Sequence, residues 1–202
     1  FKNGKWVLNS KENIQTMEFL KKLTDQKLTQ PNPAKCDRTA CAQALFAAGK
    51  AAFINGSVFL EGWLKDNGGA AINLGSGSFV AAPGKKPVTL GVQDYFTAYK
   101  ANGHKAEIAK FMDFIFEPTN YAAFLKAAGG FIPATKSAGV NAAKDPKLAP
   151  FIKLLPSAIF YPGDQASWPA VKGAIQQQVG TALVNPKKTM DALQAKALAA
   201  SK

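Results

Sequence analysis

The chain has 202 residues, of which 47% are hydrophobic and 19% are charged, a composition that excludes intrinsic disorder and suits one large domain or two small lobes. No apolar run approaches the ~20 residues of a membrane-spanning helix, so the sequence predicts no transmembrane segment. The formal net charge is +12, yet Arg38 is the only arginine and the lysines are spread along the whole chain, which argues against a nucleic-acid-binding protein that reads its target with clustered arginines.

The first 26 residues predict a turn followed by a helix. Asn3-Gly4 is typical of a hairpin turn, and since a hairpin needs a strand before its turn, we expect the sequence to be a fragment of a longer protein. Ser10 is a suitable N-cap for a helix that ends near Gln26. The predicted buried face of this helix carries Ile14, Met17, Leu20 and Leu23.

Two cysteines follow a proline-rich loop. Cys36 and Cys41 have no second ligand pair, and His104 is the only histidine, so a zinc site is disfavoured. A local disulfide between the two cysteines is favoured if the protein is extracytoplasmic. Their spacing of five residues would place them on different faces of a regular α-helix, so the disulfide requires a loop or a helix start.

The segment from Ala44 to Gly56 predicts a helix end, a tight turn and a buried strand. The helix begins after the N-cap Asp37 and ends at about Ala48, and Gly49 suits the position after a helix end. Residues 51–55 open with an apolar run without polar alternation, as in a strand covered on both faces.

Further along the chain, strands and helices alternate up to about residue 130, and helices dominate afterwards. This order predicts an α/β fold. The predicted helices cover 58–65, 104–116, 119–128 with Pro118 as a first residue, 146–159, 167–182 and 186–200, and the predicted strands cover 70–80 and 90–99. Six aromatic residues in this part could line a pocket, but their spacing favours a place in the core: Tyr95, Phe96, Tyr99, Phe111, Phe114 and Phe116.

The residues offer no complete catalytic set. No serine or cysteine stands in a nucleophile-elbow context, and the carboxylates Glu61, Asp66 and Asp94 would form a pair only through the fold. We therefore expect neither catalysis nor a cofactor.

Several sequence pieces occur in an order that resembles the carbohydrate solute-binding proteins of ABC transporters, the maltose-binding-protein group. No single piece is diagnostic, but together they extend along the whole chain. The pieces are the 44–56 segment, the glycine-rich stretch 77–87, the glycine-led strand 91–96, the A-x-x-F-x-x-F-like helix 109–115, the G-x-x-P segment 130–136, the P-x-x-x-x-W-x-x-V-like segment 162–171 and the C-terminal helix 190–202.

This resemblance implies a type II periplasmic-binding-protein-like fold in which two lobes close on a ligand. Residues 1–90 and 136–202 would form most of the C-terminal lobe, and residues 91–135 would be a returning segment of the N-terminal lobe, with crossovers near 90 and 135. The first half of such a protein would be absent, and a sheet that lacks a strand exposes edges that favour dimerisation or strand exchange.

The resemblance also implies ligand-binding residues. Trp168 aligns with a stacking tryptophan of the family and follows Asp164 and Gln165, which are able to bind sugar hydroxyls. The alternative for Trp168 is a core residue at a helix start. Gly91, Gln93 and Asp94 occupy the interlobe strand, and the alternative for the last two is surface polarity or a hydrogen bond at the hinge.

One departure affects the predicted ligand. The family often has Asn-Gly-Pro-Trp where this chain has Asn55-Gly56-Ser57-Val58, so a second stacking tryptophan is missing. Phe59 or Trp63 could replace it, and Asn55 and Ser57 could still bind hydroxyls. A weakly stacked sugar or a non-sugar solute becomes an alternative.

The implied function is that of an extracytoplasmic solute-binding component, in the periplasm or anchored on the outer face of the cell membrane. Its partners would be a sugar or oligosaccharide and the membrane permease of an ABC importer, with no nucleic acid. Two alternatives remain open. One is a basic, lysine-rich module that binds anionic polymers, and the other is an enzyme domain that lacks its catalytic half.

Overall fold

This computed structural model describes residues 1–100 and 103–202. The fold is mixed, with 52% helix and a small sheet of two parallel strands, and is compatible with the predicted α/β class. The α-helices are α1 (Lys11–Asp25), α2 (Ala44–Ala47), α3 (Leu60–Asp66), α4 (Lys105–Phe116), α5 (Pro118–Ala127), α6 (Lys136–Ala142), α7 (Ala149–Leu154), α8 (Trp168–Gln178) and α9 (Pro186–Ala199). The strands are β1 (Thr89–Gly91) and β2 (Ala158–Phe160). Shorter elements are a π-helix at Arg38–Gln43 and 3₁₀ turns at Pro33–Lys35, Leu155–Ser157 and Val179–Leu183.

The helix starts predicted at Ser10 and Pro118 and the helix end predicted at Gly49 are confirmed, whereas the helix predicted at 58–65 begins only at Leu60. Ser10 Oγ accepts a hydrogen bond from the backbone N–H of Asn13 at the start of α1. Pro118 is the first residue of α5, where its missing N–H costs no helical hydrogen bond. Gly49 follows α2 with φ of +68°, the left-handed conformation that glycine adopts without strain.

The chain divides into two units. Unit 1 comprises Phe1–Leu45 and Phe160–Lys202, and unit 2 comprises Phe46–Ile159. Both this division and the predicted lobes join the two ends of the chain in one body. The lobe boundaries near residues 90 and 135 stay predictions, and residues 101 and 102 of the predicted returning segment lie outside the described residues.

Unit 1 is built on the packing of α1, α8 and α9. One cluster of buried side chains contains Trp6, Val171 and Ala197. A second cluster contains Ala182, Met190 and Leu193, and the partly buried Leu8 and Ile175 pack against both clusters. The two clusters therefore form a continuous apolar core, to which both the N-terminal segment and the C-terminal helix contribute.

Two side chains of α9 hold the N-terminal segment. Asp191 Oδ1 accepts from the Asn9 side-chain amide at 2.9 Å. Gln194 Oε1 accepts from the backbone N–H of Leu8 at 2.7 Å, and Gln194 Nε2 donates to the carbonyl oxygen of Trp6 at 2.9 Å. The turn before this segment is the one predicted from the sequence, with positive φ at both Asn3 and Gly4 as in a type I′ turn.

Cys36 and Cys41 form a disulfide, with their Cα atoms 5.1 Å apart. Asp37, between them, caps the π-helix by accepting from the N–H groups of Thr39 and Ala40. Cys36 lies before the helix and Cys41 within it, so the bond spans a helix start, one of the two geometries that the spacing allowed. The wider π-helical turn also brings residues five apart closer to one face than an α-helix does.

Unit 2 has a smaller core and a small sheet. Its buried cluster consists of Phe46, Leu60 and Leu64, so that α2 and α3 pack together. The strands β1 and β2 pair in parallel, and the chain between them contains α4 to α7, as a parallel pair requires a long crossover.

Most of the predicted strands are wrong. Residues 51–55 form no strand, and Phe53 is 94% exposed. A strand covered on both faces needs neighbouring strands and two covering layers, and no described strand lies beside this segment. Residues 70–80 are also irregular, the strand predicted at 90–99 is reduced to β1, and β2 occupies the end of the helix predicted at 146–159.

The core position expected for the aromatic residues of unit 2 is also wrong for five of the six. Tyr95, Phe96, Tyr99, Phe111 and Phe114 are exposed, with Tyr99 at 78%. Phe96 contacts the rings of Phe111, Phe116 and Phe124. Phe96, Phe111 and Phe116 therefore form a ring cluster with Phe124, but no described layer of unit 2 covers it.

None of the described helices combines the length and the apolar character that crossing a lipid bilayer requires.

Candidate functional site

A stack of aromatic rings lies in unit 1. The Trp168 ring is 6.1 Å from the Trp6 ring and 5.4 Å from the Tyr161 ring, centroid to centroid, with interplanar angles of 14° in both pairs. The Phe1 ring contacts Trp6 edge-on at 4.8 Å. These separations are those of favourable offset-stacked and edge-to-face pairs.

The stack is positioned by the first turn of α8 and by one indole hydrogen bond. Trp168 is the first residue of α8, and Pro169 suits the second position because its missing N–H has no helical partner there. Ser167 Oγ accepts from the Trp6 indole N–H at 3.0 Å. This bond joins residues that are 161 positions apart in the sequence and fixes the Trp6 ring against α8.

A tight loop connects Tyr161 to Trp168. The Gly163 N–H donates to the Tyr161 carbonyl at 2.8 Å, and the Gln165 N–H donates to the Pro162 carbonyl at 3.1 Å. The Trp168 N–H then donates to the Gln165 carbonyl at 2.9 Å. Successive turns therefore bring the two aromatic residues into contact although seven positions separate them.

Polar groups of this loop are available for a ligand. Within the part of the chain that the structure describes, the Tyr161 hydroxyl, the Asp164 carboxylate and the Gln165 side-chain amide make no hydrogen bond or ion pair. Asp164 is exposed and Gln165 is half-buried. An aromatic face beside free hydroxyl, carboxylate and amide groups can bind a ring that has an apolar face and a rim of hydroxyls.

Trp168 also has a structural role. Its partly buried ring packs against the cluster of Trp6, Val171 and Ala197. Trp168 is therefore partly a core residue, which was the alternative to a ligand-binding role. Contact between Trp168 and a ligand stays a prediction.

The predicted residues around 55–59 lie in unit 2, before α3. Asn55 is exposed, Ser57 and Phe59 are half-buried, and the Ser57 carbonyl accepts from the Leu60 N–H at 3.0 Å. The Phe59 ring is 6.1 Å from Phe131. These residues shape the start of α3, and their side chains border solvent.

The two candidates for a second stacking ring differ in environment. Trp63 packs against the buried cluster of unit 2 that contains Leu60 and Leu64. Phe59 lies at the N-cap of α3 with its ring toward Phe131. Phe59 is therefore the better candidate of the two for ligand contact, as its sequence position also suggested.

The predicted interlobe residues follow β1 in unit 2. Gly91 is buried at the end of the strand, and Gln93 and Asp94 are exposed. The Tyr95 hydroxyl donates a hydrogen bond to Gln93 Oε1. This bond orients Gln93, and the exposed Asp94 matches the surface alternative that the sequence left open.

The structure thus brings together three of the nine predicted ligand-binding residues, Trp168, Asp164 and Gln165, on one loop and helix start of unit 1. The other six belong to unit 2. Sequence reasoning missed Trp6 and Tyr161. Tyr161 stands directly before the recognised Pro162 to Trp168 segment, which is a usable signal, whereas nothing local links Trp6 to it.

A separate open depression of about 590 Å³ lies between α1 and the start of α9. Its wall includes the ion pair of Lys21 and Asp25, whose charged atoms are 2.6 Å apart. It contains none of the predicted site residues. Its lining residues are Glu18, Lys21, Lys22, Asp25, Gln26, Asn185, Pro186 and Lys187.

In the described part of the chain, the carboxyl groups whose pKa is shifted are surface groups, and the shift stabilises their anionic form. The hydrogen bond from Lys147, at 2.8 Å, lowers the pKa of Glu61 and raises that of Lys147. The hydrogen bond from Lys187 lowers the pKa of Asp191. None of these groups lies in the aromatic stack, and the described residues contain no cluster of three or more His, Cys, Asp or Glu side chains placed to hold a metal ion.

Comparison with known proteins adds no relative: a scan against models of protein families finds no match, and a search of curated proteins finds no similar sequence.

Proposed function

We propose that this chain is part of the extracytoplasmic solute-binding component of an ABC importer and binds a sugar or oligosaccharide. In this proposal, a type II periplasmic-binding-protein fold contributes its C-terminal lobe through residues 1–90 and 136–202. Residues 91–135 belong to the N-terminal lobe. The lobes close on the ligand, and the closed form is recognised by the membrane permease.

The observation that carries the proposal is the aromatic stack with its free polar neighbours. A pyranose presents C–H groups on one face and hydroxyls at its edge, so it needs an aromatic ring together with hydrogen-bonding groups. Trp168 supplies part of the aromatic surface, and Asp164 and Gln165 supply hydrogen-bonding groups a few residues before it. Binding needs no general acid or base, and the sequence offers no complete catalytic set of residues.

The exposed aromatic surface of unit 2 supports the assignment of residues 91–135 to a larger lobe. Phe96, Phe111, Phe114 and Phe124 are between 39% and 61% exposed, and large contiguous apolar patches usually mark surfaces that are covered in the working protein. The parallel sheet of this chain has only two strands, whereas parallel sheets normally have both faces covered by other elements. Further chain of the parent protein would cover both features.

The disulfide supports the proposed location. Stable disulfides form in the periplasm and outside the cell and are rare in the cytosol. Cys36 and Cys41 are bonded in the structure, as suits a protein that works outside the cytoplasmic membrane.

The first test is sugar binding by the full-length parent protein, measured by isothermal titration calorimetry. We expect Trp168→Ala to weaken sugar binding by at least ~1 kcal/mol, the scale of a lost aromatic contact. Phe19→Ala is the matched control, because Phe19 is a 49% exposed aromatic residue on α1. Circular dichroism establishes that each variant is folded, and unchanged affinity in a folded Trp168→Ala variant would remove Trp168 from the site.

A second candidate is favoured by the net charge of +12. A lysine-rich surface can bind an anionic polymer without any built pocket, and such binding weakens steeply as salt concentration rises. Salt-sensitive binding to DNA or to a teichoic-acid-like polymer, with no sugar binding, would support this module. Because the second stacking tryptophan is missing near Ser57, a non-sugar solute is an alternative ligand within the first proposal.

A further inference from the structure

We propose that Tyr161 provides the ring on which the sugar stacks, and that Trp168 supports this ring from the protein side. This inference rests on the proposed function, because it specifies which residue of that site meets the ligand. The resemblance of the 162–171 segment indicates Trp168 as the stacking ring, so the assignment of Tyr161 comes from the ring contacts.

The first argument is the order of exposure along the stack. Trp6 is 5% exposed, Trp168 is half-buried and Tyr161 is 41% exposed. Trp168 already contacts the other two rings in nearly parallel geometry. A further flat group that continues the stack from the solvent side therefore meets Tyr161 first.

The second argument is that Tyr161 is held in place before a ligand arrives. Its ring rests on Trp168 at 5.4 Å, and its carbonyl oxygen accepts from the Gly163 N–H at 2.8 Å. Trp6, behind Trp168, is itself fixed by the hydrogen bond to Ser167. A ring that is fixed in its binding orientation loses little conformational entropy when the ligand binds.

The third argument is chemical. The Tyr161 hydroxyl can both donate and accept a hydrogen bond, the Asp164 carboxylate accepts, and the Gln165 amide does both. These are the groups that discriminate the hydroxyls of a sugar, and in the described chain none of them is already engaged by another side chain or by the backbone. The site therefore suits a pyranose whose apolar face lies on Tyr161 and whose hydroxyls reach the 164–165 turn.

The test uses the full-length protein and calorimetric titration with glucose, galactose, maltose and cellobiose as probes. For each sugar that binds, we expect Tyr161→Ala to raise Kd about 5- to 10-fold, the range of one lost ring contact. Tyr161→Phe, which keeps the ring, should stay within about 3-fold of wild type. Trp168→Phe should restore much of the affinity that Trp168→Ala loses, because it keeps a ring behind Tyr161.

A direct measurement makes the result independent of variant folding. Intermolecular NOEs between sugar C–H protons and the Tyr161 ring protons in the wild-type protein would support the inference. Sugar binding without these NOEs, or with affinity that Tyr161→Ala leaves unchanged, would overturn the inference and leave the proposed function standing. If none of the four sugars binds the wild-type protein, the proposed function fails for these probes and the assignment of Tyr161 falls with it.

Discussion

Replacing Gln194 best tests how the N-terminal segment is held against α9 in unit 1. Its side chain holds the backbone N–H of Leu8 at 2.7 Å and the backbone carbonyl of Trp6 at 2.9 Å. Trp6 is buried and Leu8 is half-buried. Gln194→Ala removes both hydrogen bonds and leaves two backbone groups without their partner in a region where water has limited access.

The expected cost follows from these two bonds. A protein hydrogen bond contributes roughly 0.5–1.5 kcal/mol net, and a buried group left unsatisfied costs more. We therefore expect Gln194→Ala to lower the free energy of unfolding by about 2 kcal/mol. Alanine favours the helix slightly over glutamine, so propensity opposes the effect and does not produce it.

The assay is urea unfolding at 25 °C, with the midpoint and the slope fitted separately. Gln177→Ala is the matched control, because it makes the same substitution at an exposed position of α8. Gln194→Glu adds a finer test, since a carboxylate can still accept from Leu8 but cannot donate to Trp6. If Gln194→Ala is no more destabilising than Gln177→Ala, the two hydrogen bonds of Gln194 do not hold the N-terminal segment on α9, and the reasoning is refuted.

Three further predictions concern the disulfide, an ion pair and the core. Replacing Cys36 and Cys41 with serine should lower stability by about 2 kcal/mol, the loop-closure entropy of a six-residue ring; thermal unfolding with and without reductant measures this, and reductant should not affect the double variant. The pKa of Glu61 is lowered by its hydrogen bond from Lys147, so this carboxylate contributes stability above its usual pKa and loses that contribution as the pH falls through the folded-state pKa. Glu61→Gln should therefore flatten the acid side of a plot of unfolding midpoint against pH, and an unaltered slope would contradict the ion pair. Leu193 is 1% exposed, so Leu193→Ala should cost about 2–5 kcal/mol; the same substitution at the exposed leucine five residues later on α9 should cost far less, and equal urea midpoints for the two variants would contradict the core.

The candidate site was predicted from the sequence only in part. Trp168, Asp164 and Gln165 were indicated by the resemblance of the 162–171 segment to solute-binding proteins, and they lie close together because they belong to one loop and the helix start that follows it. Trp6 is 162 positions away from Trp168, and only the packing of the N-terminal segment on α8 and α9 places it in the stack. No local pattern encodes such a contact.

The sequence by itself determined those helix starts that carry a capping side chain or a proline, because such a signal lies beside the helix that it begins. Ser10, Asp37 and Pro118 each mark a helix start that the structure contains. The spacing of Cys36 and Cys41 likewise indicated that a disulfide would need a loop or a helix start.

Only the tertiary structure decided the strands and the environment of the aromatic residues. A strand completes its hydrogen bonds with a distant segment, so an apolar run such as 51–55 remains irregular where no strand lies beside it. Thr89–Gly91 becomes a strand because Ala158–Phe160 pairs with it. In the same way, the rings that meet Phe96 come from α4 and α5, so the tertiary structure decides both these contacts and their burial.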